Sequence, residues 1–191
     1  MTETGILGGS FNPIHLGHTG LANALCQKGY VEEVWLLISP QNPLKTNYEL
    51  LDEKKRLQLA QLATTEYPCI KTSDFEFSLP RPSYMFHTLE ALRTAYPERQ
   101  FSLIIGTDNW LCFRQWKHPE KILANHRVIL FPRKDYEIDP QTLPSNVIMA
   151  DLPIYPVSST LVRERLKKGE ATDDLLHAKV RKLIENEHLY L

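Results

Sequence analysis

Residues 4–18 read TGILGGSFNPIHLGH: a short apolar strand that runs through two glycines into a turn and then into a helix. This stretch decides the fold, because a strand feeding a helix through a glycine-rich turn is how a parallel α/β unit opens. The turn also carries a chemical instruction. The first turn of a helix presents backbone N–H groups without intrahelical partners, together with the positive end of the helix dipole, and so seats a phosphate. The spacing is not G-x-G-x-x-G, so the dinucleotide fingerprint is absent. His15 and His18 stand three residues apart on one helical face, where both rings can address one ligand, and Gly17 between them lets that ligand lie against the backbone. A bare H-x-x-H is better explained by capping or surface histidines. It does not define a metal site either, since H-E-x-x-H and an evident third ligand are missing.

Composition agrees with a folded α/β protein. The chain has 191 residues, 42% of them hydrophobic and 24% charged, enough to hide roughly 70% of the surface of the unfolded chain. Disordered, collagenous and low-complexity classes are excluded. Of eight glycines, Gly5, Gly8, Gly9, Gly17 and Gly20 fall in the first twenty residues. Lys and Arg number 22 against 23 acids, a formal charge of −1, which argues against a general nucleic-acid or anionic-membrane binder. Any anionic ligand must then be met by a local cluster. Cys26, Cys69 and Cys112 are scattered without a C-x-x-C pair, so neither a disulfide framework nor a zinc site is indicated. The longest strongly apolar run, Val34 to Ile38, is too short to span a bilayer, and no basic leader precedes an apolar stretch. A cytoplasmic protein with one domain over residues 1–191 is expected.

Beyond the opening unit, apolar β-prone runs alternate with segments of helical period. Strands are expected at 4–8, 33–39, 101–105, 128–131 and 146–149, with 70–78 extended. Helices are expected at 16–28, 52–65, 83–96 with Ser83 as N-cap, 120–124 after Pro119, 159–168 and 173–187. Gly29 and Gly169 close helices, and the last helix has acids at its start. The pattern predicts a doubly wound, Rossmann-like, mostly parallel sheet with helices on both faces and a C-terminal helical segment. Ligands on such sheets sit beyond the carboxyl ends of the strands.

A second phosphate-suited string lies near the other end: Val157-Ser158-Ser159-Thr160-Leu161-Val162-Arg163, hydroxyls opening a helix with an Arg one turn in. Alone, the hydroxyls would be caps and Arg163 a solvated side chain. The two strings together resemble the H-x-G-H nucleotidyltransferase superfamily, in which the second corresponds to I-S-S-T-x-x-R with Val157 in place of Ile. The pieces between narrow the resemblance to bacterial nicotinate-nucleotide adenylyltransferases over nearly the whole chain. They are 40–45 (PQNPLK), 81–84 (RPSY), 104–110 (IIGTDNW) with Trp116 downstream, and 131–133 (FPR). Two positions depart from the family pattern, Met85 where Thr is usual and His87 where a polar or acidic residue is common.

The resemblance implies adenylyl transfer from ATP to nicotinate mononucleotide, with Mg²⁺ bridging the ATP phosphates and no protein metal cage. It implies His15, His18, Lys45 and Arg163 as stabilisers of charge in the transition state. For ATP it further implies Gly8, Gly9, Ser10, Phe11, Gly106, Asp108, Arg133, Ser158, Ser159 and Thr160. For the mononucleotide it implies Ser10, Lys45, Tyr84, Met85, Asp108 and Trp116, whose indole would stack on the pyridinium as a cation–π face. Lys45 as a loop lysine, Asp108 as an N-cap and Trp116 as a packing residue remain alternatives on the residues alone. So do nicotinamide mononucleotide or phosphopantetheine as acceptor, a nucleotide-sensing module without turnover, and homo-oligomer formation.

Overall fold

A computed structural model of the chain describes residues 1–40 and 50–190. Strands β1 (Thr2–Gly9), β2 (Glu33–Ile38), β3 (Ile70–Ser73), β4 (Arg99–Gly106), β5 (Val128–Phe131) and β6 (Val147–Met149) form one sheet in the order β3-β2-β1-β4-β5-β6, every neighbouring pair parallel. This is the doubly wound order, which reverses between β1 and β4. Strand β2, EVWLLI, is buried at all six positions, as a central strand covered on both faces requires. Its side chains alternate between two cores. Val34, Leu36 and Ile38 pack with Leu7 and Ile104 on one face, while Trp35 and Leu37 pack with Ile6, Leu103 and Ile105 on the other.

The first face is covered by α1 (Leu16–Gln27), α2 (Glu53–Thr64), α6 (Ser159–Lys167) and α7 (Ala178–Asn186), and the second by α3 (Met85–Ala95) and α5 (Pro119–Asn125). Helix α4 (Thr107–Leu111) starts directly from the end of β4. Gly29 and Gly169, at φ +72° and +68°, stand just past α1 and α6, in the left-handed conformation that ends a helix.

Three expected elements differ, each for a local reason. Extended backbone stops at Ser73, and Phe75–Ser78 is a 3-10 turn that aims the Glu76 carboxylate inward. Helix α3 begins at Met85 because Ser83 caps nothing: its hydroxyl donates instead to Glu76 Oε2 at 3.0 Å. The last helix begins at Ala178, since Asp173 and Asp174 are drawn into ion pairs with Arg181 and Arg165 at 3.0 and 2.7 Å. Among the described residues no helix is long and apolar enough to cross a membrane.

Candidate active site

The carboxyl ends of β1, β4 and β5 open into a cleft of about 890 Å³. Its floor is the turn that follows β1. Gly9 lies close under the Phe11 ring, where a Cβ would stand 3.2 Å away, whereas a Cβ on Gly8 would displace only the flexible Met85 methyl at 2.8 Å. The turn ends at His15, extended at φ −145° and ψ 170°, which is the N-cap of α1 and not a residue of its first turn. The His15 backbone N–H donates to His18 Nδ1 at 3.2 Å, and the two imidazoles stack at 3.6 Å with 21° between planes.

This geometry sets the chemistry of the pair. His15, 4% exposed, has its pKa pulled from 6.5 to about 3 by burial and by the Arg133 charge. Burial, His15 and Arg133 hold His18 well below its ordinary value too. Both rings are therefore neutral near pH 7 in the unliganded protein. Because His18 Nδ1 accepts from backbone, its proton resides on Nε2, so the ring acts as a hydrogen-bond donor into the cleft.

The second string arrives from the far end of the chain. The Arg163 guanidinium donates through Nη1 to the Asn12 carbonyl at 2.7 Å, across 151 residues of sequence, and through Nη2 to Thr160 Oγ1 at 3.3 Å. Ser158 is the N-cap of α6, its Oγ accepting from Leu161 N–H at 3.1 Å. The Ser159 hydroxyl donates to the Pro13 carbonyl at 2.8 Å. Thr160 and Ser158 thus accept internally and keep an O–H to give a ligand, whereas the Ser159 proton is spent on holding the turn.

The remaining wall carries the other expected residues. Gly106 ends β4, and the Asp108 carboxylate in the first turn of α4 faces Arg133 Nε at 3.8 Å, both atoms buried and without a hydrogen-bond partner among the described residues. Among the described residues no side chain caps α3, whose N-terminus carries Tyr84 and Met85 at the cleft. Lys117 Nζ lies 4.6 Å over the Tyr84 ring, beside Trp116, whose indole Nε1 is buried with no hydrogen-bond partner among the described residues. All sixteen expected site residues within the described chain line this one cleft: Gly8, Gly9, Ser10, Phe11, His15, His18, Tyr84, Met85, Gly106, Asp108, Trp116, Arg133, Ser158, Ser159, Thr160 and Arg163. Lys45 lies outside the described residues.

Several contributors escaped the sequence reading. Arg56 is 0% exposed and donates to the carbonyls of Leu51 at 2.7 Å, Ser39 at 2.8 Å, Pro40 at 3.2 Å and Ser10, tying the turn to the end of β2. Its spacing from Leu59, Ala60 and Ala63 places it on the buried face of α2, a signal present in the sequence. Glu76 takes hydroxyl donors from Ser83 and from Thr88, the latter at 2.8 Å, and so fixes the approach to α3. Asn12 lies within the opening string but had no role assigned, and Tyr190 carried no signal.

A parallel sheet of this order, with a glycine-containing turn leading into a helix N-terminus at its reversal point, has the architecture of the nucleotide-binding α/β class. The sequence model described as cytidylyltransferase-like matches residues 6–165. A protein of Bacteroides fragilis named "Probable nicotinate-nucleotide adenylyltransferase" is 49% identical over 183 residues, covering 96% of this chain and 91% of the relative. A Flavobacterium johnsoniae protein of the same name is 40% identical over 190 residues, 98% of each. The solved nicotinic acid mononucleotide adenylyltransferase of Plasmodium falciparum, complexed with APC, superposes with a TM-score of 0.81 at 19% identity, covering 100% of this chain and 98% of that one, and shares the fold. The chain belongs to the cytidylyltransferase-like family and, within it, to the nicotinate-nucleotide adenylyltransferases.

Proposed function

We propose that the protein transfers the adenylyl group of ATP to the 5′-phosphate of nicotinate mononucleotide, giving the dinucleotide and pyrophosphate. The observation that carries this reading is the meeting of the two phosphate-suited strings in one cleft, Arg163 on the Asn12 carbonyl at 2.7 Å. An oxygen of the mononucleotide phosphate attacks the α-phosphorus of ATP, the bond from that phosphorus to the bridging oxygen breaks, and pyrophosphate leaves with the bonding pair. The nucleophile, with a second pKa near 6, is mostly dianionic at neutral pH and needs no general base. The chain's task is alignment and charge stabilisation. In this reading His18 Nε2–H donates to an α-phosphate oxygen, with His15 behind it. Backbone N–H groups of Gly9, Ser10 and Phe11, the Ser158 and Thr160 hydroxyls and Arg163 hold the triphosphate. Lys45 would supply a further cation, and Asp108 with Arg133 would orient the nucleotides.

Trp116 offers its ring to the pyridinium, and the uncapped N-terminus of α3 at Met85, with Lys117 nearby, suits a carboxylate on that ring. Recognition through backbone N–H groups explains how Met85 can stand where Thr is usual. Mg²⁺ belongs to this reading as an ion carried by ATP. Among the described residues the carboxylates lining the cleft are Asp108, which faces Arg133, and Glu76, which is occupied by two hydroxyls. That donor set does not fit a resident ion, so phosphate oxygens and water would hold it. Residues 1–191 are read as one catalytic domain acting in the cytoplasm.

The test is a pyrophosphate-release assay with ATP and nicotinate mononucleotide, with the dinucleotide identified by mass. His18→Ala is expected to lower kcat about 10²- to 10³-fold, as loss of one preorganised donor does. Turnover close to that of the parent, with folding intact, would remove His18 from its role.

A further inference from the structure

Asn12, in the wall of the cleft, ties three distant parts of the chain to the turn. Its side-chain Oδ1 accepts from the Leu51 N–H at 3.2 Å and from the Tyr190 hydroxyl at 2.7 Å, while its carbonyl accepts from Arg163 Nη1 at 2.7 Å. Two donors fill the lone pairs of Oδ1, and the Leu51 N–H fixes which end of the amide is oxygen. The plane of the amide, and with it the path of the turn at residue 12, is then set from two sides. Asn12 is 5% exposed, so these bonds form where water competes little. Tyr190 is half-buried and packs with Leu189 against the core beneath α1 and α2. Its bond to Asn12 spans 178 residues of sequence.

A buried tyrosine hydroxyl needs an acceptor, and any nearby carbonyl would serve for stability. Here the acceptor belongs to the residue whose own carbonyl holds Arg163. Resting on the adenylyl-transfer reading, we infer that Tyr190 is a positioning residue: through Asn12 its hydroxyl fixes the turn at 10–14 against Arg163, and so fixes where that guanidinium meets the triphosphate. The Leu51 N–H on the same oxygen extends the arrangement to the start of α2. The C-terminal segment thereby acts on the reaction without touching substrate.

Four variants test this: Tyr190→Phe, Asn12→Ala, the double variant, and Leu189→Ala as a packing control. Each is measured for kcat and KM in pyrophosphate release, for thermal midpoint, and for amide hydrogen exchange at residues 9–14. Tyr190→Phe keeps the ring and is expected to lower kcat about fivefold, the effect of one neutral hydrogen bond, with KM for the mononucleotide unchanged. Its midpoint should stay within about 2 °C of the parent while exchange at 9–14 quickens. The double variant should turn over no more slowly than Asn12→Ala alone. Leu189→Ala should lower the midpoint and leave kcat and exchange in the turn unchanged. Parental kcat and exchange in Tyr190→Phe, additive losses in the double variant, or a Tyr190→Phe profile like that of Leu189→Ala would each overturn the inference. The exchange measurement needs no substrate. A parent that makes no dinucleotide would therefore count against the function reading, and exchange in the turn would still decide whether Tyr190 holds it.

Discussion

Two neutral, stacked imidazoles stand at the start of α1, where the proposed chemistry is centred. The sequence identified the residues and their shared face, but not the feature that fixes His18 as an Nε2–H donor, a bond from the His15 backbone to its Nδ1. That bond depends on His15 being an extended N-cap, a backbone angle that spacing does not encode. Burial has a consequence for stability. With His15 at about 3 in the folded chain against 6.5 ordinarily, the unfolded state binds a proton that the native state does not, throughout the range between those values. Stability is therefore complete above about pH 6.5 and falls as pH drops toward 3, and lowered pKa values at His18, His126 and His177 act in the same direction. The thermal midpoint of the parent should fall more between pH 7 and pH 5 than that of His15→Gln. Parallel pH profiles would show that His15 does not carry this linkage. At the other end of the cleft, Trp116→Ala should raise KM for the mononucleotide several-fold more than KM for ATP, a split of the size that one lost cation–π contact of about 1 kcal/mol gives. Equal changes in steady-state kinetics would make Trp116 a packing residue.

Helix α2 shows how an element far from substrate can build a site. Its buried stripe of Leu59, Ala60 and Ala63 continues to Arg56, where an apolar residue would be expected and a guanidinium instead satisfies four backbone carbonyls. Its hydrogen bonds all go to peptide carbonyls, and the Glu53 and Asp52 charges at the start of α2 add longer-range support against the cost of burial. Arg56→Met should cost about 3–5 kcal/mol in urea unfolding, because it strands buried acceptors that water cannot reach. A loss under about 1 kcal/mol would mean that the turn holds its shape without Arg56. The elements themselves were legible wherever periodicity and end signals agreed. Residues 128–131 form the strand expected of them, and Gly29 and Gly169 end the helices that they were expected to end. Misplaced boundaries occurred where a polar side chain had a tertiary partner that outcompeted its local role, as Ser83 does with Glu76 and Asp174 with Arg165.

At the scale of the whole molecule, the reversal of strand order between β1 and β4 brings residues 8–18, 106–108 and 158–163 to one opening. That reversal was predictable in kind from alternating strands and helices, and it explains why strings so far apart in sequence meet at one cleft. The crowding of glycine near the N-terminus also resolves into separate causes. A Cβ on Gly5 would lie 2.5 Å from Ile104 Cδ1 and one on Gly20 2.8 Å from the Tyr155 ring, so those two serve packing, while Gly8, Gly9 and Gly17 border the cleft. The latch from the C-terminal segment to Asn12 was invisible, since no local pattern marks a hydroxyl that finds its acceptor 178 residues away. Near-zero net charge is consistent with cations gathered at one cleft, whose lining includes Arg133, Lys117 and Arg163. The central claim is that this cleft joins ATP to the acid form of the pyridine mononucleotide. Steady-state kcat/KM with ATP and Mg²⁺, measured in parallel for nicotinate and nicotinamide mononucleotide, tests it most directly. The account predicts at least about a tenfold preference for nicotinate mononucleotide, the value of one charge-assisted contact, and equal efficiency or a preference for the amide would contradict it.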